Sequence, residues 1–295
     1  MRLGISTGVF AYTRGEAAVR PLTAQIEDCA RAGFGVLELD LRGGVLDADD
    51  WEAQIDAAAQ AVSRTRVVLS QACAPVCEEL FLFGRRPSDE ECAHADELLR
   101  RAIAAAGKLN IPWVVVRPLT DTIHAEYDNE TNLATNLAYY APFLAQAKQV
   151  GTGLAFENTA KIDRSIRRVY GSSPEALCVL VDAFRDPDAV GICWNFGSAR
   201  LMINNQPRQL RILGSRLRAT HVNDNTGKRD SRLLPFISGN VRWEDIMPTL
   251  KEIGYGGDFI LDCAAYMRDI PDELRPAASA LALELGEYCM GMYHN

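Results

Sequence analysis

Short apolar runs alternate with longer amphipathic stretches along the whole chain. The short runs have apolar interiors and are bounded by Gly, Pro, Asp or Asn, which predicts strands. They fall at Arg2–Ser6, Val36–Asp40, Val67–Ser70, Pro112–Arg117, Gly153–Glu157, Val190–Trp194, Leu217–Val222 and Phe259–Asp262. The stretches between them carry helical periodicity and helix-end signals. Helices are predicted at Leu22–Gly33, Asp49–Arg64, Ser88–Leu109, Asn129–Gln149, Ser173–Phe184, Pro207–Gly214, Trp243–Gly254 and Asp272–Met290. Ser88-Asp89-Glu90-Glu91 reads as a capping box. Ser173-Pro174 places a cap before a first-turn proline. The acidic start and basic end of Asp49–Arg64 suit the helix dipole.

Eight strands, each followed by a helix, form the pattern of an α/β fold of the (β/α)8 TIM-barrel type. The strand interiors are mostly apolar without a strict alternation, so both sheet faces are covered, as a parallel sheet requires. At 295 residues the chain fits a single barrel domain over residues 1–295, and no linker-like change of composition divides it. The competing layout is a doubly wound open sheet. It would carry a G-x-G-x-x-G turn after the first strand, where Gly8 stands alone, so no nucleotide cofactor is expected. The longest irregular segments, Gly8–Pro21, Gln71–Pro87, Thr120–Asp128 and Asn223–Asn240, follow strands one, three, four and seven. In a barrel those connections build the C-terminal mouth, where active sites lie.

Composition narrows the function classes. A chain that is 48% hydrophobic and 24% charged is not a disordered or low-complexity scaffold. With 31 basic against 39 acidic residues the net charge is −8, which argues against a nucleic-acid partner. No run approaches the about 18 apolar residues of a membrane span. Met1–Ser6 opens without a secretory pattern, so a cytoplasmic place with no membrane partner is expected. The eight cysteines contain no Cys-x-x-Cys pair and are read as reduced thiols, mostly buried. Histidine is scarce, at 4.

The polar residues at strand ends define the candidate chemistry. The second strand ends in Glu38 and Asp40, the fourth in Arg117, the fifth in Glu157 and Asn158. Asn195 and then Ser198 follow the sixth, His221, Asn223 and Asp224 close the seventh, and Asp262 closes the eighth. Oxygen and imidazole donors converging on one rim can ligate a divalent cation. Such a cation would polarise a carbonyl while carboxylates move protons. Trp194 lies near the rim and is a candidate to stack on a sugar ring, whereas Trp243, at a helix start, is expected to pack that helix on the barrel. Arg164, Arg167 and Arg168 either attract an anionic ligand or coat a solvated face.

Several segments carry a family resemblance: Leu3-Gly4-Ile5-Ser6-Thr7, Ala32-Gly33-Phe34-Gly35-Val36-Leu37-Glu38-Leu39, Leu154-Ala155-Phe156-Glu157-Asn158, Gly191-Ile192-Cys193-Trp194-Asn195-Phe196-Gly197, and His221-Val222-Asn223-Asp224-Asn225. Leu234-Pro235 to Gly239 with Trp243, and Ile253-Gly254-Tyr255-Gly256-Gly257, complete the series. In this order they resemble the xylose-isomerase-like superfamily of TIM barrels, over nearly the whole chain. The resemblance implies a sugar isomerase or epimerase that holds one divalent cation (Mn, Mg, Co or Zn) with Glu, Asp, His and Glu. Glu157 matches the first Glu and His221 the His. Asn195 stands where the Asp belongs, Ser198 where a further His belongs, and Asp262 where the last Glu belongs. Arg232 stands where many relatives have a His before the Leu-Pro turn. The implied metal set is thus Glu157, Asn195, His221 and Asp262, with Glu157 and Asp262 as the opposed catalytic carboxylates. The expected substrate contacts are Glu38, Arg117, Trp194, Ser198, Asp224 and Arg232.

These departures have physical weight. Asn keeps an oxygen donor but loses the charge that helps set dication affinity. Asp262 is a methylene shorter than Glu. Arg232 brings a fixed cation to the rim, which opposes a metal and suits a carboxylate or phosphate. Two readings therefore stand side by side: a metal-assisted isomerase or epimerase, and a metal-free, catalytically degraded barrel that binds carbohydrate or serves as a non-catalytic subunit. Lyase or deglycosylation chemistry on the same fold is a third. A repair endonuclease is disfavoured by the acidic charge and by His94, His124 and His294 being the only other imidazoles. The expected partner is a small-molecule carbohydrate, and assembly into a homo-oligomer is compatible with the sequence.

Overall fold

A computed structural model describes residues 1–77, 80, 85–121, 127–160, 169–202 and 205–294. Its strands and helices follow in the order β1 (Leu3–Ser6), α1 (Leu22–Arg31), β2 (Val36–Asp40), α2 (Trp51–Thr65), β3 (Val68–Cys73), α3 (Asp89–Lys108), β4 (Trp113–Val116), α4 (Asn129–Val150), β5 (Gly153–Glu157) and α5 (Pro174–Ala183). The second half continues with β6 (Val190–Asn195), α6 (Phe196–Met202), α7 (Gln206–Leu213), β7 (Leu217–His221), α8 (Trp243–Glu252), β8 (Phe259–Leu261), α9 (Ala264–Arg268) and α10 (Arg275–His294). The eight strands form one sheet in the order β7-β6-β5-β4-β3-β2-β1-β8. All the paired neighbours run parallel. Beyond β7, Val222 N–H donates to Ile260 O at 2.7 Å and Asp262 N–H donates to Val222 O at 2.9 Å. This contact joins the β7 and β8 edges, and the architecture is a single (β/α)8 barrel.

The helix ends follow the sequence signals. Ser88 accepts from Glu91 N–H and the Glu91 side chain returns to Ser88 N–H, completing the capping box of α3. Ser173 caps α5 ahead of Pro174. Gly151 ends α4 at a φ of 77°, a left-handed conformation that glycine takes without strain.

Three expectations need correction. The third strand was expected to stop at Ser70 and instead runs to Cys73. A polar Gln71 looks like a strand end, yet here its amide is satisfied inside the barrel. Two short helices, α6 and α9, were not expected. Each starts at the mouth directly after a strand, where tertiary contacts outweigh weak local signals. The last helix begins at Arg275 rather than Asp272 and extends to His294.

Strand parity separates two apolar layers. Val115, Ala155, Cys193 and Ala219 form a small buried cluster of their own inside the barrel. Val116, Phe156 and Trp194, one residue further on, join the large cluster between strands and helices. Side chains alternate along a strand, so the next inward positions are Arg117, Glu157, Asn195 and His221. Small residues inside the barrel leave room for these four polar groups directly above. All eight cysteines are unpaired, and five of them are buried.

Candidate functional site

The inward parity of β2, β3, β5, β6 and β7 brings Glu38, Gln71, Glu157, Asn195 and His221 to one point. The His221 ring sits between two carboxylates. Its Nε2 lies 2.5 Å from Glu38 Oε2 and its Nδ1 lies 2.6 Å from Glu157 Oε1. A neutral imidazole has one N–H and one lone pair, so it can satisfy only one ionised carboxylate. Two such contacts require the imidazolium. Gln71 Nε2 donates to Glu38 Oε2 at 2.6 Å and to Thr220 O at 3.2 Å. Asn195 Nδ2 donates to Glu157 Oε1 at 2.9 Å, and Arg117 Nε donates to Glu157 Oε2 at 3.1 Å.

A second cluster lies beside the first. Asp262 is fully buried. Arg232 Nη1 donates to its Oδ2 at 2.8 Å and Arg42 Nη2 to its Oδ1 at 3.2 Å. Arg42 is itself held by Asp40 through Nε and Nη2, both at 2.8 Å. Asp262 Oδ2 stands 4.0 Å from His221 Nδ1, so the two clusters are continuous. Four carboxylates (Glu38, Asp40, Glu157, Asp262) face three guanidiniums (Arg42, Arg117, Arg232) and one imidazolium, so their charges cancel.

The electrostatics follow from these contacts. Burial pushes His221 down, but Cys193, Glu38 and Glu157 outweigh it and hold the imidazole well above its ordinary 6.5. Burial pushes Glu157 up, but His221 and Arg117 outweigh it and hold the carboxyl well below 4.5. Asp262 is likewise held below the usual range, burial being outweighed by Arg232 and Arg42. A raised histidine pKa stabilises the fold fully below about pH 6.5 and loses that contribution as pH climbs through the folded value. A depressed carboxyl pKa stabilises fully above about pH 4.5 and loses its contribution as pH falls through the folded value. Urea unfolding is therefore expected to give greatest stability from these two groups between about pH 4.5 and 6.5. In His221→Gln the alkaline decline should flatten; an unchanged decline would assign it to other groups.

Asp224 has a different role from the other rim carboxylates. Its Oδ1 accepts from Asn225, Asn240 and Val241 N–H groups at 2.7, 3.0 and 3.0 Å, and its Oδ2 accepts from Trp243 Nε1 at 3.2 Å. It thus ties down both ends of the loop that carries Arg232. Burial raises its pKa despite these donors. Asp224→Ala would strand several buried donors, each worth about 1–3 kcal/mol when unmet. The expected outcome is a loss of about 2–4 kcal/mol with protease cleavage appearing between β7 and α8. A stable, uncut variant would contradict this role.

The other expected residues are also placed. Trp194 is fully buried and faces the helices, with Nε1 donating to Gln206 Oε1 at 3.2 Å. It lies away from the mouth, so its position does not support stacking on a ligand. Trp243 packs as expected, with ring centroids 5.3 Å from Phe196 and 5.8 Å from Phe259. Ser198 N–H donates to Asn195 Oδ1 at 2.9 Å, and Asn223 Nδ2 reaches the same oxygen at 3.2 Å. Arg164, Arg167, Arg168 and His124 lie outside the described residues. Arg42 and Gln71 were not among the expected site residues. The one available signal for Arg42 was its spacing of two from Asp40, just past a strand end.

A resident dication does not fit this arrangement. Both Asp262 oxygens accept from guanidiniums, and both Glu157 oxygens and both His221 nitrogens are engaged. Asn195 turns its oxygen to Ser198 and Asn223 and its amide N–H to Glu157. The charge that would attract a cation is already neutralised. Among the described residues no three His, Cys, Asp or Glu side chains are grouped to hold a metal ion.

Over the mouth lies a cavity of about 720 Å³. Its lining includes Arg42, Arg117 and Arg232 together with Asp47, Glu90, Glu91 and His94. Among the described residues no helix is long and apolar enough to cross a membrane.

The family model described as xylose isomerase-like TIM barrel matches residues 26–283. The chain is 28% identical over 163 residues to an uncharacterised protein of Sinorhizobium fredii, covering 54% of this chain and 49% of that one. It is 29% identical over 164 residues to an uncharacterised protein of Methanocaldococcus jannaschii, covering 55% and 54%. The chain thus spans about half the length of these curated relatives. Among solved structures it is similar to a D-tagatose 3-epimerase-like protein (22% identity, TM-score 0.77, covering 100% of this chain and 98% of that one). It is also similar to D-psicose 3-epimerase of Clostridium cellulolyticum with D-tagatose (16%, TM-score 0.73, 98% and 99%). A third is L-ribulose 3-epimerase (16%, TM-score 0.74, 99% and 94%).

Proposed function

The chain belongs to the xylose isomerase-like TIM barrel family, and from that premise we propose that it acts on a small sugar or sugar derivative as an isomerase or epimerase. The reaction moves a proton on a carbon next to a carbonyl. The observation that carries this reading is the Glu38–His221–Glu157 chain of short contacts at the barrel mouth. That some structural neighbours are sugar 3-epimerases supports a small sugar as the substrate class.

Such a reaction needs a base for the α-proton, donors for the oxygen that gains charge, and a route that returns a proton. Glu38 Oε1 is buried without a hydrogen-bond partner, so it keeps a free lone pair, and this reading requires the substrate to reach below the cavity lining to use it. His221 links that carboxylate to Glu157 on the far side of the barrel. A proton accepted on the β2 side can thus be returned from the β5 side. Guanidinium N–H groups of Arg117 and Arg232 stabilise the developing oxyanion. The proton removed is the proton count returned, so no oxidant or reductant is required. In this reading Asp262 positions Arg42 and Arg232 rather than carrying a proton, because both its oxygens accept from guanidiniums, which do not release a proton, whereas Glu157 touches the titratable His221 ring.

The test is α-proton exchange by NMR in deuterated water, with EDTA-treated protein and a panel of ketoses and keto-sugar acids. Deuterium should enter at the α carbon, and His221→Gln should slow exchange about 10²-fold or more. Absence of exchange across the panel would overturn the catalytic reading. It would favour a barrel that only binds carbohydrate, a role to which the saturated oxygens of Glu157 and Asp262 are also suited.

A further inference from the structure

We propose that the substrate of this site carries a carboxylate, and that Arg42, Arg117 and Arg232 recognise it as a three-guanidinium cradle. The inference rests on the small-sugar reading above and narrows it to sugar acids. All three guanidiniums line the same cavity of about 720 Å³, within the roughly 300–1,000 Å³ usual for small-molecule sites. Each is held from behind by carboxylates. Arg117 is anchored through Nε on Glu157, Arg232 through Nη1 on Asp262 and Nε on Asp230, and Arg42 through Nε and Nη2 on Asp40 and Asp262.

The anchoring leaves terminal nitrogens uncommitted among the described residues. Arg117 keeps both Nη atoms, Arg232 keeps Nη2 and Arg42 keeps Nη1. Each side chain is about one-fifth exposed, at 23%, 20% and 20% respectively. A planar guanidinium presents N–H groups in a fixed fork that matches a carboxylate. Forks already fixed by buried anions lose little freedom on binding.

Charge decides between the two anions that such forks take. The three guanidiniums are balanced by Asp40, Asp262 and Glu157, so the cradle has donors but little net positive charge. The same cavity is also lined by an acidic wall of Asp47, Glu90 and Glu91, in which Asp47 pairs with His94 and Glu91 with Arg85. A dianionic phosphate would meet that acidic wall without a compensating field. A monoanionic carboxylate needs chiefly the donors, and the acidic wall can accept from the hydroxyls at the sugar's other end.

The experiment is calorimetric titration and thermal-shift measurement on the EDTA-treated protein at fixed ionic strength. The probes are D-glucuronate, D-galacturonate and D-gluconate, against D-glucose, D-fructose and D-fructose 6-phosphate. At least one sugar acid is expected to bind about tenfold or more tighter than every neutral sugar and the phosphate. Arg117→Lys and Arg232→Lys keep the ion pairs with Glu157 and Asp262 but lose the fork, and each should weaken the acid about tenfold with little change in Tm. Equal binding of neutral sugars, tighter binding of the phosphate, no binding by any acid, or full affinity in both lysine variants would each overturn the proposal. Binding of an acid without α-proton exchange would remove the catalytic reading and leave this one intact. Exchange on neutral ketoses without acid binding would do the reverse.

Discussion

His221→Leu is expected to lower stability by about 3–5 kcal/mol, the cost of leaving buried charges without their partner. At about 2 °C per kcal/mol for a large domain, Tm should fall by roughly 6–10 °C at pH 6. His221 and Glu38 are fully buried and Glu157 is 2% exposed, so water cannot take the place of the imidazolium. Removing it sets two carboxylates across a gap with only Arg117, Asn195 and Gln71 to satisfy them. The double variant Glu38→Gln with His221→Leu removes one of those charges and should recover part of the loss, because contacting residues couple. A fall below about 2 °C in the single variant would mean that the carboxylates are hydrated or protonated, and the relay would not exist as described.

Asp262→Asn is expected to cost a similar amount, about 3–5 kcal/mol, for the opposite reason. The side chain keeps its shape but loses the charge that both Arg42 and Arg232 use. Its new amide N–H₂ also points a donor at one of two guanidiniums. Asp40 and Asp230 keep partial hold of the two arginines, so the cradle should loosen rather than collapse. Added acetate should raise the Tm of this variant more than that of the wild type, by supplying the missing anion. Thermal unfolding with and without acetate reads both effects. A neutral outcome for the substitution would show that the arginines are solvated and that Asp262 does not organise them.

The barrel itself is legible because its signals are periodic and repeated. Each strand–helix unit restates the same pattern, so errors such as the early end of β3 at Ser70 do not disturb the topology. The convergence of Glu157, Asn195 and His221 is legible too, since each ends a strand at an inward position. Trp194 is where strand-end reasoning fails, although parity corrects it. It precedes Asn195 by one residue, so an inward Asn195 sends the indole outward to Gln206. Arg42 and Gln71 were harder to see. Arg42 sits past a strand end and reaches Asp262 across 220 positions of sequence, a contact that only barrel closure creates. Gln71 interrupts an apolar run, and nothing local shows that Glu38 awaits its amide. The opposition between Arg232 and a metal was readable from charge alone, but its partner Asp262 was not.

The metal question therefore turns on side chains that the fold has already paired with one another. Any cation entering here must displace guanidiniums from Asp262 and hydrogen bonds from Glu157, and a charge-balanced site offers little in return. The most direct measurement is thermal unfolding of EDTA-treated protein, repeated with Mn²⁺, Mg²⁺, Co²⁺ or Zn²⁺. A resident cation present at about 100 times its Kd would add about 2.7 kcal/mol, or roughly 5 °C in Tm. The self-paired network predicts the same Tm with and without each metal. A stoichiometrically retained cation that raises Tm by several degrees would contradict it.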